Sequence, residues 1–86
     1  MYSLLIATPD QLVFEGEVES VIAPGALGYL EILSHHAPLI TLLTAGTVTV
    51  TTAAHEKLVY KTTGGILEVH QNRATLLTPP ICISSV

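Results

Sequence analysis

Four histidines, His35, His36, His55 and His70, are the residues of this chain best suited to ligate a metal or move a proton. Two are adjacent, in Ser34-His35-His36-Ala37-Pro38. A zinc site needs three or four ligands converging on one point. No Asp or Glu stands at ligand spacing beside the pair, and Cys82 is the only cysteine. On a strand, adjacent side chains point to opposite faces, so His35 and His36 would not chelate one ion. Ser34 has no nucleophile-elbow context and no obvious carboxylate to orient a histidine base. The pair reads either as a partly buried histidine held by backbone groups or as part of a contact surface.

The other chemical candidates are weaker. Glu15, Glu17 and Glu19 alternate, so on one strand they share a face, most simply a solvated one. Paired-carboxylate hydrolysis needs a cleft that so short a chain does not imply. Glu68 sits between Leu67 and Val69, either paired with a cation or facing water. The glycine clusters at 24–28 (PGALG) and 63–65 (TGG) lack Gly-Lys-Ser/Thr and lead into no helix, so they read as turns and bulges rather than phosphate loops. No catalytic residue, cofactor site or metal site is expected. The uncharged tip PGALGYL is more informative, because partly exposed Ala26, Leu27, Tyr29 and Leu30 would make a contact surface.

Composition points the same way. The chain has 86 residues, enough for one domain over 1–86, and 49% of them are hydrophobic. Only 12% are charged, about half the usual ~25%, which is the profile of a surface partly covered by partners. Net charge is −4, and the three cations Lys57, Lys61 and Arg73 cannot form the basic patch that nucleic acid or anionic lipid requires. The N-terminus lacks the basic region and long apolar run of a signal peptide. Residues 32–54 carry no Asp, Glu, Lys or Arg, but six threonines, a proline and a two-residue Val/Thr alternation mark strand rather than membrane span.

The elements that must position these residues are short β-prone runs separated by Pro, Gly and Asn. Strands are expected over 3–8, 12–15 and 17–23, with Ala23-Pro24-Gly25 as a break. Others follow over 29–33, 36–43 and 47–52, where Val48 and Val50 share a face. Hairpins then join 57–62 to the preceding strand and 66–70 to 74–78, with a short terminal strand over 81–84. The expected fold is all-β: a small antiparallel β-sandwich or flattened barrel of eight to ten short strands, with no C-terminal helical hairpin.

Three segments in register, EGEVESVIAPG (15–25), EILSHHAPLITLLTAG (31–46) and GGILEVHQNRATLL (64–77), resemble the epsilon subunit of bacterial F-type ATP synthase. The resemblance runs from about Leu4 to Thr78. It implies the N-terminal β-sandwich of a non-catalytic subunit in the rotating central stalk. One end of that sandwich meets the polar loops of the membrane c-ring, and one side packs on the gamma subunit. By position, Ala26, Leu27, Gly28, Tyr29, Leu30 and Glu31 resemble the c-ring-contacting loop. Thr8, His36 and Thr41 resemble gamma-facing positions. The implied location is peripheral, on the cytoplasmic face of the bacterial plasma membrane, with membrane contact only through the c-ring. No cofactor is implied.

The chain departs from the family pattern at Ser34-His35, where Pro-Gly is usual, and at Glu31, where glycine is frequent. No helix-forming segment follows Pro79-Pro80, so a form without the family's inhibitory helical arm is expected. Two other classes compete: a general β-sandwich interaction module, and a biotinyl or lipoyl carrier domain. The carrier needs a lysine at an exposed hairpin tip, whereas Lys57 and Lys61 fall in a run that reads as strand. A small histidine-dependent hydrolase lacks a visible nucleophile.

Overall fold

A computed structural model describes residues 1–79 and 82–84 of the chain. It contains nine strands: β1 (Tyr2–Ala7), β2 (Leu12–Gly25), β3 (Gly28–Ile32), β4 (Leu39–Leu43), β5 (Gly46–Thr52), β6 (Lys57–Thr62), β7 (Gly65–His70), β8 (Arg73–Leu77) and β9 (Cys82–Ser84). There is no helix among the described residues. The expected terminal strand over 81–84 is present as β9, and its position 81 lies outside the described residues.

β2 organises the rest. Its first half pairs with β1, from Tyr2↔Val18 to Ala7↔Leu12. Its second half pairs with β3 on one side and β5 on the other. One layer is therefore β4–β7–β8–β1 with the start of β2, and the other is β3, the end of β2, β5, β6 and β9. The change of partner occurs at a bulge. Val18 opposes Thr52 and Ser20 opposes Thr51, so Glu19 is the extra residue. A bulge bends a strand and resets which face its side chains occupy. Val18, Val21 and Ala23 are all buried, which strict alternation from 18 to 21 forbids.

The two layers close on one core. Leu4, Ile6, Leu67 and Leu76 from the first meet Val21, Ile32, Val48 and Val50 from the second, all at most 1% exposed. Val48 and Val50 share the buried face that the Val/Thr alternation predicts.

Two boundaries and one pairing direction stand out against the sequence reading. Ala23-Pro24-Gly25 does not break β2, because all three positions pair with β3, and Pro24 sits where β2 needs no N–H. The strand expected from 36 begins only at Leu39, after the turn described below. The β1–β8 pair is parallel, from Ser3↔Arg73 to Ala7↔Leu77, within an otherwise antiparallel arrangement.

Tyr2 ties the layers together at the core's edge. It is 2% exposed and its hydroxyl donates to the Ile32 carbonyl. Burial pushes the Tyr2 phenol well above its ordinary range, the nearby Glu31 charge adds to the rise, and burial also raises Tyr60. A raised phenol pKa means that the native state disfavours phenolate. That stability is complete below the unfolded value of about 10 and is lost as pH climbs from there toward the folded value. Denaturation midpoints should therefore fall on going above about pH 10. Tyr2→Phe should cost roughly 1–2 kcal/mol at pH 7, by removing the buried hydrogen bond to the Ile32 carbonyl, and should flatten the alkaline decline. An unchanged alkaline slope in that variant would remove Tyr2 from this account.

Candidate contact surfaces

Among the described residues, no group of three His, Cys, Asp or Glu could hold a metal ion. No helix among them is long and apolar enough to cross a membrane. The candidate surfaces are a hairpin tip and the outward face of one layer.

The segment from Ala26 to Glu31, expected as a loop, is the tip and return arm of a hairpin. Gly25 pairs with Gly28, leaving Ala26 and Leu27 as a two-residue turn, and Gly28–Glu31 lie in β3. Gly28 follows the turn at φ 128°, a backbone that side-chain-bearing residues rarely adopt. The tip is fastened from two directions. Ala26 N–H donates to the Leu42 carbonyl at 3.0 Å, and Thr44 N–H donates to the Pro24 carbonyl at 2.8 Å. Leu27 makes no compensating contact and is fully exposed. Tyr29 is 61% exposed, yet its hydroxyl accepts the Thr47 N–H at 3.1 Å. Its ring end lies over Gly46, where a Cβ would meet the Tyr29 hydroxyl at 2.7 Å and Pro24 Cβ at 2.8 Å. Glu31 is exposed and Leu30 half-buried against the core.

Register defines the outward face of the first layer. Paired residues share a face, so Leu42, Ile66, Leu77, Ala7 and Leu12 form one row across five strands. Its four large members are between 43% and 63% exposed. Strands ~4.8 Å apart make the row about 19 Å long. Below its middle runs a shallow apolar groove lined by Ala7, Thr8, Pro9, Ile66, Leu77 and Pro79. The next row is Ile40, Glu68, Thr75, Leu5 and Glu15. The third holds His70, Arg73, Ser3 and Glu17, with Ser3 Oγ 3.4 Å from a Glu17 carboxylate oxygen.

The three residues expected together are not side by side. Thr8 lines the apolar groove at one end of the layer. Thr41 lies on β4 opposite Leu67, so it belongs to the inward-facing row at the sheet edge. His36 precedes β4 at the opposite end from Thr8. The adjacent histidines sit in a turn rather than on a strand, so alternation is not what separates them. His36 N–H donates to the Leu33 carbonyl at 3.2 Å, closing a turn whose third residue, His35, has φ 61°. That sign belongs to a type II turn, whose preferred central residues are Pro then Gly. His36 Nδ1 lies 2.7 Å from the Ala37 carbonyl. A carbonyl only accepts, so this contact requires the proton on Nδ1.

The carboxylates also separate. Glu15 and Glu17 face water, whereas Glu19, at the bulge, pairs with His55 Nδ1 at 2.7 Å. Sequence periodicity missed Leu12, Leu42, Ile66 and Leu77 as surface residues, because which face is outward depends on the bulge and on the pairing of distant strands.

A family model described as the β-sandwich domain of the ATP synthase delta/epsilon chain matches residues 1–81. The chain belongs to this family. The ATP synthase epsilon chain of Protochlamydia amoebophila is 43% identical over 81 residues, covering 94% of this chain and 55% of that protein. The epsilon chain of Chlorobaculum tepidum is 40% identical over 80 residues, covering 93% of this chain and 91% of that one. The chain thus spans about half of the first relative and nearly all of the second. One chain in the OSCP/F1/c-ring structure of the Euglena gracilis mitochondrial ATP synthase superposes with a TM-score of 0.87 at 20% identity. That match covers 93% of this chain and 51% of the other. A chain in the Tetrahymena thermophila central stalk/c-ring structure gives 0.76 at 17% identity, over 93% and 64%. At such identities these two matches speak for the fold.

Gly46→Ala tests how the tip is held. It should cost roughly 1–3 kcal/mol, because neither Pro24 nor Tyr29 can yield without breaking a contact. Leu27→Ala should stay within about 0.5 kcal/mol of the parent in the same denaturant titration. Equal stability of Gly46→Ala and the parent would contradict the packing described.

Proposed function

We propose that this chain is a non-catalytic central-stalk subunit of an F-type ATP synthase, joining the membrane c-ring to the gamma subunit. The carrying observation is that a fastened hairpin tip and an apolar sheet face meet at the Ala26–Leu42 hydrogen bond on one small body. A coupler needs two contact surfaces that cannot shift relative to each other. Here a single hydrogen-bonded corner joins them, and a close-packed core backs both.

In this reading the tip, Ala26 to Glu31, seats on the polar loops of the c-ring, with Leu27 as its most protruding group. Gamma covers the outward face of the first layer, from the groove at Thr8 along β4 and toward His36, and reaches Thr41 only at the open edge of β4. The chain then lies peripherally at the cytoplasmic face of the plasma membrane and touches the bilayer only through the ring. Two contacts on one body reinforce each other, because once gamma is bound the ring contact is effectively intramolecular. Membership of an ATP synthase family supports the assembly, and the sparse charge of the row supports burial against a partner.

Leu27→Asp should weaken association with purified c-ring at least about tenfold, the size expected when a charge replaces a central apolar contact. Its stability should stay within about 0.5 kcal/mol, since Leu27 touches nothing else. Ile66→Asp with Leu77→Asp, and separately His36→Asp, should weaken capture by purified gamma and spare the ring. Normal assembly and coupling with Leu27→Asp would remove the tip from the ring interface. Undiminished gamma capture by the Ile66/Leu77 variant would remove the apolar row.

A further inference from the structure

The turn at His35 raises a physical question. The family's usual Pro-Gly would enforce a type II turn by itself, since proline presets the second position and glycine accepts φ above zero at the third. Ser34-His35 does neither. Serine leaves its φ free, and a histidine in the left-handed region is held there against its own preference. Yet this turn delivers His36, Ala37 and Pro38 to the surface ahead of β4.

The restraint comes from another hairpin. His35 N–H donates to Asn72 Oδ1 at 2.8 Å, across 37 residues of sequence. The same side chain donates through Nδ2 to the Met1 carbonyl at 3.1 Å. Asn72 lies with Gln71 in the two-residue turn between β7 and β8, both at positive φ (51° and 59°). That is the type I′ hairpin geometry, and asparagine tolerates it better than most residues. One half-buried amide thus joins the N-terminus, the β7–β8 hairpin and the histidine turn.

We infer that Asn72 is a positioning residue for the contact segment His36–Pro38, supplying from outside the turn the restraint that Pro-Gly supplies from within. It touches no partner itself. Its effect on affinity follows from population: if the turn is correctly formed only part of the time, apparent affinity falls by that fraction. This inference rests on the proposal that the His36 segment meets gamma, and the experiment separates the two.

The intact chain would be compared with Asn72→Ala, Asn72→Asp, and Asn72→Ala carrying Ser34→Pro and His35→Gly. Amide exchange at His36, whose N–H closes the turn on the Leu33 carbonyl, reports the turn, and titration with purified gamma reports the contact. Asn72→Ala should speed His36 exchange roughly five- to tenfold, the equivalent of one lost hydrogen bond, and weaken gamma by a similar factor. Asn72→Asp keeps the acceptor for His35 and loses the donor to Met1, so both readouts should return to within about twofold of the parent. The Pro-Gly variant should recover gamma affinity although the Met1 tether stays broken, which a purely stabilising role for Asn72 would not produce. Unchanged His36 exchange in Asn72→Ala overturns the inference. So does a loss of gamma affinity that Pro-Gly leaves unrepaired. Faster exchange with gamma affinity unmoved by both Asn72→Ala and His36→Asp supports the positioning of the turn and sinks the gamma assignment instead.

Discussion

The fold depends on one strand serving two layers. β2 runs 14 residues, far beyond the five or six usual for a strand, and spends its first half beside β1 and its second between β3 and β5. A straight strand cannot keep its apolar side chains inward across that change. The extra residue at Glu19 bends the path and swaps the parity, so that Val18, Val21 and Ala23 all reach the core. Glu19 then points away from the core and finds His55. An exposed pair of this kind adds little stability, but it gives the bulged residue a consistent direction.

Both candidate surfaces inherit their geometry from this strand. The tip is the far end of β2, and its first residue beyond the strand bonds to β4 of the other layer. The apolar row begins at the near end of β2, at Leu12, and finishes at Leu42 beside the tip. The row thus spans the first layer between the two ends of a single strand. Only this row of the layer is uncharged: Glu15 and Glu68 stand on the next row, and Glu17 and Arg73 on the one after.

Local pattern made the strands legible and left their relations obscure. Lys57–Thr62 was readable to the residue, because its β-prone run is bounded by turn chemistry on both sides. The buried Val48 and Val50 followed from alternation alone. Alternation failed at Glu19, where a bulge requires knowledge of the opposing strand. It failed also at His35-His36, whose apolar surroundings read as strand while the backbone is held in a turn by an amide 37 residues away. Pro24 misled in the other direction: it reads as a break, but it pairs with Tyr29 of β3 and its carbonyl still accepts the Thr44 N–H, so only the missing N–H sets it apart. The resemblance marked Thr8, His36 and Thr41 as one set, and their separation across the layer emerges only from the pairing of β4, β7, β8 and β1.

The uncharged row has a thermodynamic consequence for whatever rests on it. Attraction between charges is dulled by dissolved ions, whereas contact between hydrocarbon groups is not, so such a seat keeps its strength as ionic strength varies. Its weakness lies elsewhere. Association driven by release of water from hydrocarbon carries a large heat-capacity change and loses strength on cooling. A face built from Leu12, Leu77, Ile66 and Leu42 therefore exchanges tolerance of salt for sensitivity to cold.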